Sequence, residues 1–129
     1  MNILFVCVEN SCRSQMAEGF AKAMMKGIEV FSAGSKPSGV VNPYAIKVML
    51  EVGIDISFYR SKGFDALPYR EFDYIVTMGC KDTCPFFPSK ETLDWQIEDP
   101  KGKDIQYFRI VRDKIKIEVD DLIRRLKIN

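Results

Sequence analysis

Short apolar runs alternate with longer helix-favouring segments along this chain of 129 residues. The apolar runs are rich in β-branched and aromatic residues, which is typical of buried strands. They are Asn2–Val8, Ile28–Ala33, Phe72–Met78 and Thr92–Ile97. The helical segments are Gln15–Met25, Asn42–Gly53 and Asp104–Lys127. This alternation of strands and helices predicts a parallel sheet with helices on both faces.

Local signals mark the ends of the second predicted helix and the loops around it. Asn42 is a good N-cap, Pro43 fits the first helical turn, and Gly53 ends the segment. Beyond it, residues 54–60 are extended and ambiguous, and residues 61–67 predict a short helix. The loop Gly79–Ser89 is long enough to suggest a function. In the last helix, the apolar positions expected to face the core are Ile105, Phe108, Ile110, Val111, Ile115, Val119, Leu122, Ile123 and Leu126.

The pattern shows no repeat or linker, so we expect one domain over residues 1–129, an α/β fold with three layers. The expected order of its four parallel strands is 2-1-3-4. Ligands of such sheets bind at the carboxyl ends of the strands, near the switch point. Cys7, Cys80 and Asp99 each follow a predicted strand, so we expect all three to meet at that edge.

Composition excludes several classes of protein. The net charge is +1, which gives no general electrostatic case for binding nucleic acid or a membrane. No apolar run reaches the roughly 18 residues of a membrane span, and the chain start lacks the basic residues of a signal peptide. We therefore expect a cytoplasmic protein. The chain has no histidine, which excludes histidine metal sites, Cys–His dyads and Ser-His-Asp triads, and its four cysteines suggest catalysis, redox work or metal binding.

The segment between the first strand and the first helix has the features of an oxyanion-binding loop. Backbone N–H groups of Val8, Glu9, Asn10, Ser11 and Cys12, together with the positive end of the helix dipole, are expected to point at one spot. Arg13 adds a planar fork of donors that matches a tetrahedral oxyanion. The same field favours the thiolate form of Cys7, to which Ser14 can donate a hydrogen bond. A buried structural cysteine beside a surface arginine is the alternative.

Each of three further groups could have a chemical role or a purely structural one. Asn10 tolerates a positive φ that would open the loop, or it is an ordinary turn residue. Asp99 precedes Pro100, where a carboxylic acid could protonate a leaving oxygen, although Asp-Pro is also a good turn. Cys80 and Cys84 could exchange disulfides with Cys7, could be structural, or could bind zinc with Cys7 and Cys12. A zinc ion would block the anion loop, and we therefore expect no metal there.

The segment Cys7–Glu18, reading CVENSCRSQMAE, resembles the low-molecular-weight protein tyrosine phosphatase superfamily, and within it the thioredoxin-coupled arsenate reductases. The resemblance extends over nearly the whole chain, through Val76–Cys80, Cys84-Pro85, Trp95, Asp99–Lys103 and Phe108–Lys116. True phosphatases of the superfamily usually lack the two extra cysteines and carry an aromatic pair after the Asp-Pro. Lys101-Gly102 follows here instead. The short Cys80–Cys84 spacing departs from well-known reductases, which have a longer gap, whereas other members have a short one.

The resemblance implies a cytoplasmic arsenate reductase with Cys7 as nucleophile, Arg13 and the loop as oxyanion binders, and Asp99 as general acid. It implies a relay in which Cys80 attacks Cys7 and Cys84 then attacks Cys80, with thioredoxin or a similar dithiol protein as reductant. Cys12 does not separate the two branches, and we interpret it as a loop-packing residue. Some members also bind potassium near the loop, and Asn10, Glu18, Ser32 and Asp65 stand at the matching positions.

Two other functions remain open at this point. One is a phosphatase that hydrolyses phosphate monoesters through a cysteinyl-phosphate intermediate. The other is a non-catalytic module that binds oxyanions or senses redox state. We expect a monomer whose partners are a small oxyanion and a dithiol reductant.

Overall fold

Four parallel strands form a sheet at the centre of the molecule. The computed structural model describes residues 1–79 and 87–126. Its strands are β1 (Asn2–Cys7), β2 (Glu29–Gly34), β3 (Phe72–Thr77) and β4 (Ser89–Asp94). They lie in the order β2-β1-β3-β4, and each neighbouring pair is parallel. The predicted α/β fold class and strand order are confirmed.

Within the described residues, three α-helices and one short 3₁₀ helix lie between the strands or after the last of them. They are α1 (Arg13–Met24), α2 (Pro43–Glu51), α3 (Ile105–Leu126) and the 3₁₀ helix Phe64–Ala66. The Asn42 side chain accepts a hydrogen bond from the Tyr44 N–H at 2.8 Å, and Pro43 opens α2. Gly53 follows α2 with a φ of 82° that favours glycine. The predicted start and end signals of this helix are confirmed.

The two faces of the sheet bury different parts of the chain. Ile3 and Phe5 of β1 point to one face, where they pack in a cluster with buried side chains of α1, α2 and α3. Leu4 and Val6 point to the other face and pack with Leu67, Phe72 and partly buried neighbours that include Phe64 of the 3₁₀ helix. This alternation follows from the period of two along a strand. β1 is therefore buried on both faces, and this packing fixes the position of its last residue, Cys7.

The fourth strand begins at Ser89 and ends at Asp94, whereas the sequence predicted Thr92–Ile97. β4 is an edge strand whose residues alternate between partly buried and exposed, so it lacks a strong apolar signal. Trp95 and Ile97, which gave that signal, are buried beyond its end. The Ile97 N–H bonds back to the Trp95 carbonyl, and this turn leads the chain into the candidate site.

The last helix buries one stripe of its surface and exposes the rest. Its buried residues are Phe108, Val111, Ile115, Val119 and Leu122, spaced three or four apart. Ile110 was expected to face the core but is 52% exposed, because it lies off this stripe. Within residues 1–79 and 87–126, no helix is both long and apolar enough to cross a membrane.

Candidate active site

A tight loop joins the first strand to the first helix, as predicted. It begins at Cys7, the last residue of β1, and ends at Arg13, the first residue of α1. Asn10 has a φ of 53°, which confirms the expected left-handed conformation. On β2, Gly34 lies so close that a Cβ there would sit 2.5 Å from the Val8 carbonyl oxygen. Only glycine leaves room for the loop at that position.

The carbonyl groups of the loop accept hydrogen bonds from residues outside the loop. The carbonyls of Val8, Glu9, Asn10 and Ser11 accept, respectively, from the backbone N–H groups of Lys36 and Ser38, the side chain of Gln15 and the N–H of Asn42. A trans peptide holds its N–H opposite its carbonyl, and no peptide among the described residues is cis. The N–H groups that follow these carbonyls are therefore directed to the other side of the loop.

Asn10 is completely buried and fixes the loop through both ends of its amide. Its oxygen accepts hydrogen bonds from the Gln15 side chain and from the Lys62 N–H, both at 2.9 Å. Its nitrogen donates to the Ser14 hydroxyl at 2.7 Å and to the Ser32 hydroxyl at 3.0 Å. The side chain thus connects the loop to α1, β2 and the segment after α2.

The Cys7 sulfur lies 2.9 Å from the Ser14 hydroxyl oxygen, and both side chains are buried. Because the Asn10 amide nitrogen can only donate, the Ser14 oxygen must accept its hydrogen bond. The hydroxyl proton of Ser14 is then free to point at the Cys7 sulfur. A hydrogen bond donated to sulfur favours the thiolate, which is the nucleophilic form of cysteine.

The Arg13 guanidinium is buried and held from the far side of the site. It donates to the Ile97 carbonyl at 3.1 Å and pairs with Asp99 at 3.6 Å. Gly79, which follows β3 with a φ of 81°, packs so closely that a Cβ there would lie 2.5 Å from the same guanidinium. The residues after β3 and β4 therefore position the arginine of the loop. Their contacts, as far as the described residues show, leave some of its five N–H donors available for a ligand.

Asp99 lies at the rim of the site, with a side chain that is 47% exposed. One carboxylate oxygen accepts a hydrogen bond from the Lys101 N–H at 3.0 Å, while the other faces Arg13. The Lys101 ammonium pairs in turn with Glu9 of the loop at 2.6 Å, and this hydrogen bond raises the pKa of Lys101. The Lys101–Glu9 ion pair thereby links the Asp99-Pro100 turn to the anion loop.

Cys12 is buried inside the loop at 3% exposure. Burial raises its pKa to about 12, an effect that hydrogen bonding from Ser11 only partly opposes. The Cys12 side chain is consequently a neutral thiol at physiological pH. This agrees with a packing role for Cys12.

Cys80 and Cys84 lie outside the described residues, in the segment 80–86. Gly79, which immediately precedes Cys80, contacts the Arg13 guanidinium as described above. Within the described residues, no group of three or more histidine, cysteine, aspartate or glutamate side chains is arranged to hold a metal ion.

Several residues of the site were not assigned a role from the sequence. Gln15 and Lys62 bond to Asn10 from outside the loop, and Gly34 and Gly79 provide the room that the loop and Arg13 require. Ile97 acts through its carbonyl, which any residue possesses. Glycines that directly follow predicted strands were the one available hint.

The Cys7–Arg13 loop lies at the carboxyl end of a central strand in a 2-1-3-4 sheet. This places the chain in the class of α/β proteins in which an anion loop joins the first strand to the first helix. Residues 2–129 match the family model described as low molecular weight phosphotyrosine protein phosphatase. The chain belongs to this family, which confirms the family expected from the loop sequence.

Relatives within the family are named arsenate reductases. The glutaredoxin arsenate reductase of Synechocystis sp. is 43% identical over 128 residues, covering 96% of this chain and 97% of the relative. A solved arsenate reductase in the phosphate binding state is 42% identical, with a TM-score of 0.85 and coverage of 96% and 97%. A thioredoxin-dependent arsenate reductase of Corynebacterium glutamicum is 32% identical, with a TM-score of 0.77, and covers 98% of this chain and 61% of its own.

Proposed function

We propose that this chain, acting as one domain, reduces arsenate to arsenite. The observation that carries the proposal is the buried Cys7 sulfur, which lies 2.9 Å from the Ser14 hydroxyl at the base of the loop. The loop carbonyls accept hydrogen bonds from residues outside the loop, which directs the loop N–H groups to the other side. The loop N–H groups of residues 8–12 and the Arg13 guanidinium suit a tetrahedral oxyanion. The names of close relatives favour arsenate as that oxyanion.

In the first proposed step, the Cys7 thiolate attacks arsenic and an arsenic–oxygen bond breaks. The oxygen leaves as water after receiving the proton of the Asp99 carboxylic acid, which becomes a carboxylate beside the Arg13 guanidinium at 3.6 Å. Arg13 and the loop N–H groups stabilise the negative charge on the remaining oxygens. Arsenic is then bound covalently to the Cys7 sulfur and is still in its oxidised state.

In the second proposed step, the Cys80 thiolate attacks the Cys7 sulfur. A Cys7–Cys80 disulfide forms, the sulfur–arsenic bond breaks, and its electron pair stays with arsenic, which leaves as arsenite. Cys84 next attacks the Cys80 sulfur, which frees Cys7 and forms a Cys80–Cys84 disulfide. A dithiol protein reduces that disulfide and is itself oxidised to a disulfide. The roles of Cys80 and Cys84 rest on the sequence and the family.

Thioredoxin or a similar dithiol protein is the proposed reductant. Among the relatives, one is named a glutaredoxin arsenate reductase and another a thioredoxin-dependent arsenate reductase. An internal cysteine pair that ends as a disulfide is suited to exchange with a second dithiol. We place the reaction in the cytoplasm and in a monomer, because free thiols persist in a reducing compartment and the proposed groups all come from one chain.

The test compares two activities of the same preparation. We expect arsenate-dependent NADPH consumption when the protein is coupled to thioredoxin and its reductase, and only slow hydrolysis of an aryl phosphate. Cys7→Ser, which cannot form a thiolate at neutral pH, is the control and should lose both activities. Rapid aryl phosphate hydrolysis without arsenite formation would contradict the proposal and favour the phosphatase described by the family model.

A further inference from the structure

A buried carboxylate lies behind the anion loop and has two cationic partners. The Glu18 side chain is 6% exposed and accepts a hydrogen bond from Ser32. It pairs with the Lys22 ammonium at 2.6 Å and with the Lys62 ammonium at 3.7 Å. Lys22 is half exposed, whereas Lys62 is 28% exposed and reaches inward. A carboxylate buried in this way is costly unless cations stay beside it.

The four residues at the expected potassium positions do not fit such an ion as they are arranged. The Asn10 carbonyl oxygen already accepts two hydrogen bonds, from Gln15 and from the Lys62 N–H, so both of its lone pairs are used. Asp65 is exposed on the 3₁₀ helix. Glu18 and Ser32, the remaining two, both face the Lys62 ammonium.

The Lys62 ammonium has as many oxygen neighbours as it has N–H donors. It lies 3.2 Å from the Ser32 hydroxyl, 3.3 Å from the Arg60 carbonyl and 3.7 Å from the Glu18 carboxylate. Burial lowers the pKa of Lys62, and the charge of Glu18 opposes that effect. The Lys62 ammonium therefore fills a small space lined by oxygen atoms and places one positive charge there.

We propose that Lys62 is a built-in monovalent cation that positions the anion loop, so that this protein needs no potassium ion for oxyanion binding. This inference rests on the proposed function only in taking residues 7–13 as the oxyanion site. Lys62 is a positioning residue, because its ammonium contacts Ser32, Glu18 and the Arg60 carbonyl behind the loop rather than the bound oxyanion.

The link from Lys62 to the nucleophile consists of consecutive hydrogen bonds. The Ser32 hydroxyl accepts from Lys62 and from the Asn10 amide, and donates to Glu18. Asn10 also donates to Ser14, which contacts the Cys7 sulfur. Loss of the Lys62 ammonium would remove one of the two donors to the Ser32 hydroxyl and the cation that Glu18 shares with Ser32. The Ser32 hydroxyl, which is an acceptor of the Asn10 amide, would then be held less firmly, and so would the loop.

The experiment measures the affinity for inorganic phosphate by calorimetry, in choline chloride and in potassium chloride at equal ionic strength. Wild type should bind equally well in both salts. Lys62→Ala should lose about tenfold in choline, a typical strength of coupling between linked sites. Potassium should restore most of that affinity by entering the space among the oxygens of Ser32, Glu18 and Arg60. Lys22→Ala is the matched control, because it removes the other cation of Glu18 without touching Ser32, and it should behave as wild type.

Four results would overturn the inference. Lys62→Ala could bind phosphate as wild type does in choline, or it could show a loss that potassium does not restore. Lys22→Ala could show the same loss, which would assign the effect to the general charge around Glu18. Wild type could itself bind phosphate more tightly in potassium, a result that does not depend on any variant folding.

Failure of the proposed function would be visible separately. A protein that shows the expected phosphate affinities and salt effects, yet forms no arsenite, would retain the Lys62 inference and lose the arsenate reductase assignment. A protein that forms arsenite but needs potassium for tight phosphate binding would retain the arsenate reductase assignment and lose the Lys62 inference.

Discussion

Replacing Asn10 by alanine should destabilise the fold by an amount that can be worked out from its contacts. The buried side chain makes four hydrogen bonds, to Gln15, Lys62, Ser14 and Ser32. At about 1 kcal/mol each, their loss amounts to about 4 kcal/mol. Its φ of 53° adds about 1 kcal/mol of backbone strain once alanine replaces asparagine. We therefore expect a loss of about 5 kcal/mol, which is a large part of the stability of a small domain.

Urea denaturation followed by circular dichroism measures this loss. Asn10→Gly removes the same hydrogen bonds without the strain at positive φ, so it should be more stable than Asn10→Ala by about 1 kcal/mol. Asn2→Ala is the control, since Asn2 bridges to Glu71 and Asp73 at the other end of the sheet and should cost much less. A loss below about 2 kcal/mol for Asn10→Ala would refute the view that this residue holds the loop together.

Three further predictions follow from single contacts. Asp99→Asn should slow turnover of arsenate and alkyl phosphates by roughly 10²–10⁴-fold, as expected for loss of a general acid; unchanged steady-state rates would show that Asp99 is only a turn residue. Gly79→Ala should weaken phosphate binding by roughly 10–100-fold because it displaces the loop arginine, whereas Gly53→Ala, with a similar φ and nothing within 4 Å, should not alter binding; equal affinities in calorimetry would contradict this. Hydrogen bonds from Arg109 hold the pKa of Glu51 at about 2, below its ordinary 4.5, so this pairing stabilises the fold above pH 4.5 and is lost as pH falls through 2. Glu51→Gln should accordingly lower the melting temperature at neutral pH but not below pH 2, and a difference that persists in strong acid would exclude the ion pair as its cause.

The sequence predicted the elements and groups whose signals are local. Cys7 and Arg13 were assigned correctly to the end of a strand and the start of a helix, because five loop residues separate an apolar run from a helix-favouring segment. The capping signals at Asn42 and Gly53 likewise depend on near neighbours. The catalytic roles given to these side chains remain predictions.

Contacts between distant parts of the chain could not be predicted in the same way. Arg13 is held by the Ile97 carbonyl, and a backbone oxygen leaves no trace in the choice of side chain. Lys62 reaches Glu18 and Ser32 only after the chain has passed through β2 and α2. The bounds of β4 were wrong because its strongest apolar residues, including Trp95, are buried beyond the strand rather than in it.

Peptide mapping after a single exposure to arsenate tests the central claim most directly. The fully reduced protein is mixed with arsenate in the absence of any reductant, arsenite is quantified, and the disulfides are located by mass spectrometry. In wild type we predict one arsenite per chain and a Cys80–Cys84 disulfide with Cys7 free, and in Cys84→Ser one arsenite and a Cys7–Cys80 disulfide. No arsenite, with all four thiols still reduced, would contradict the account.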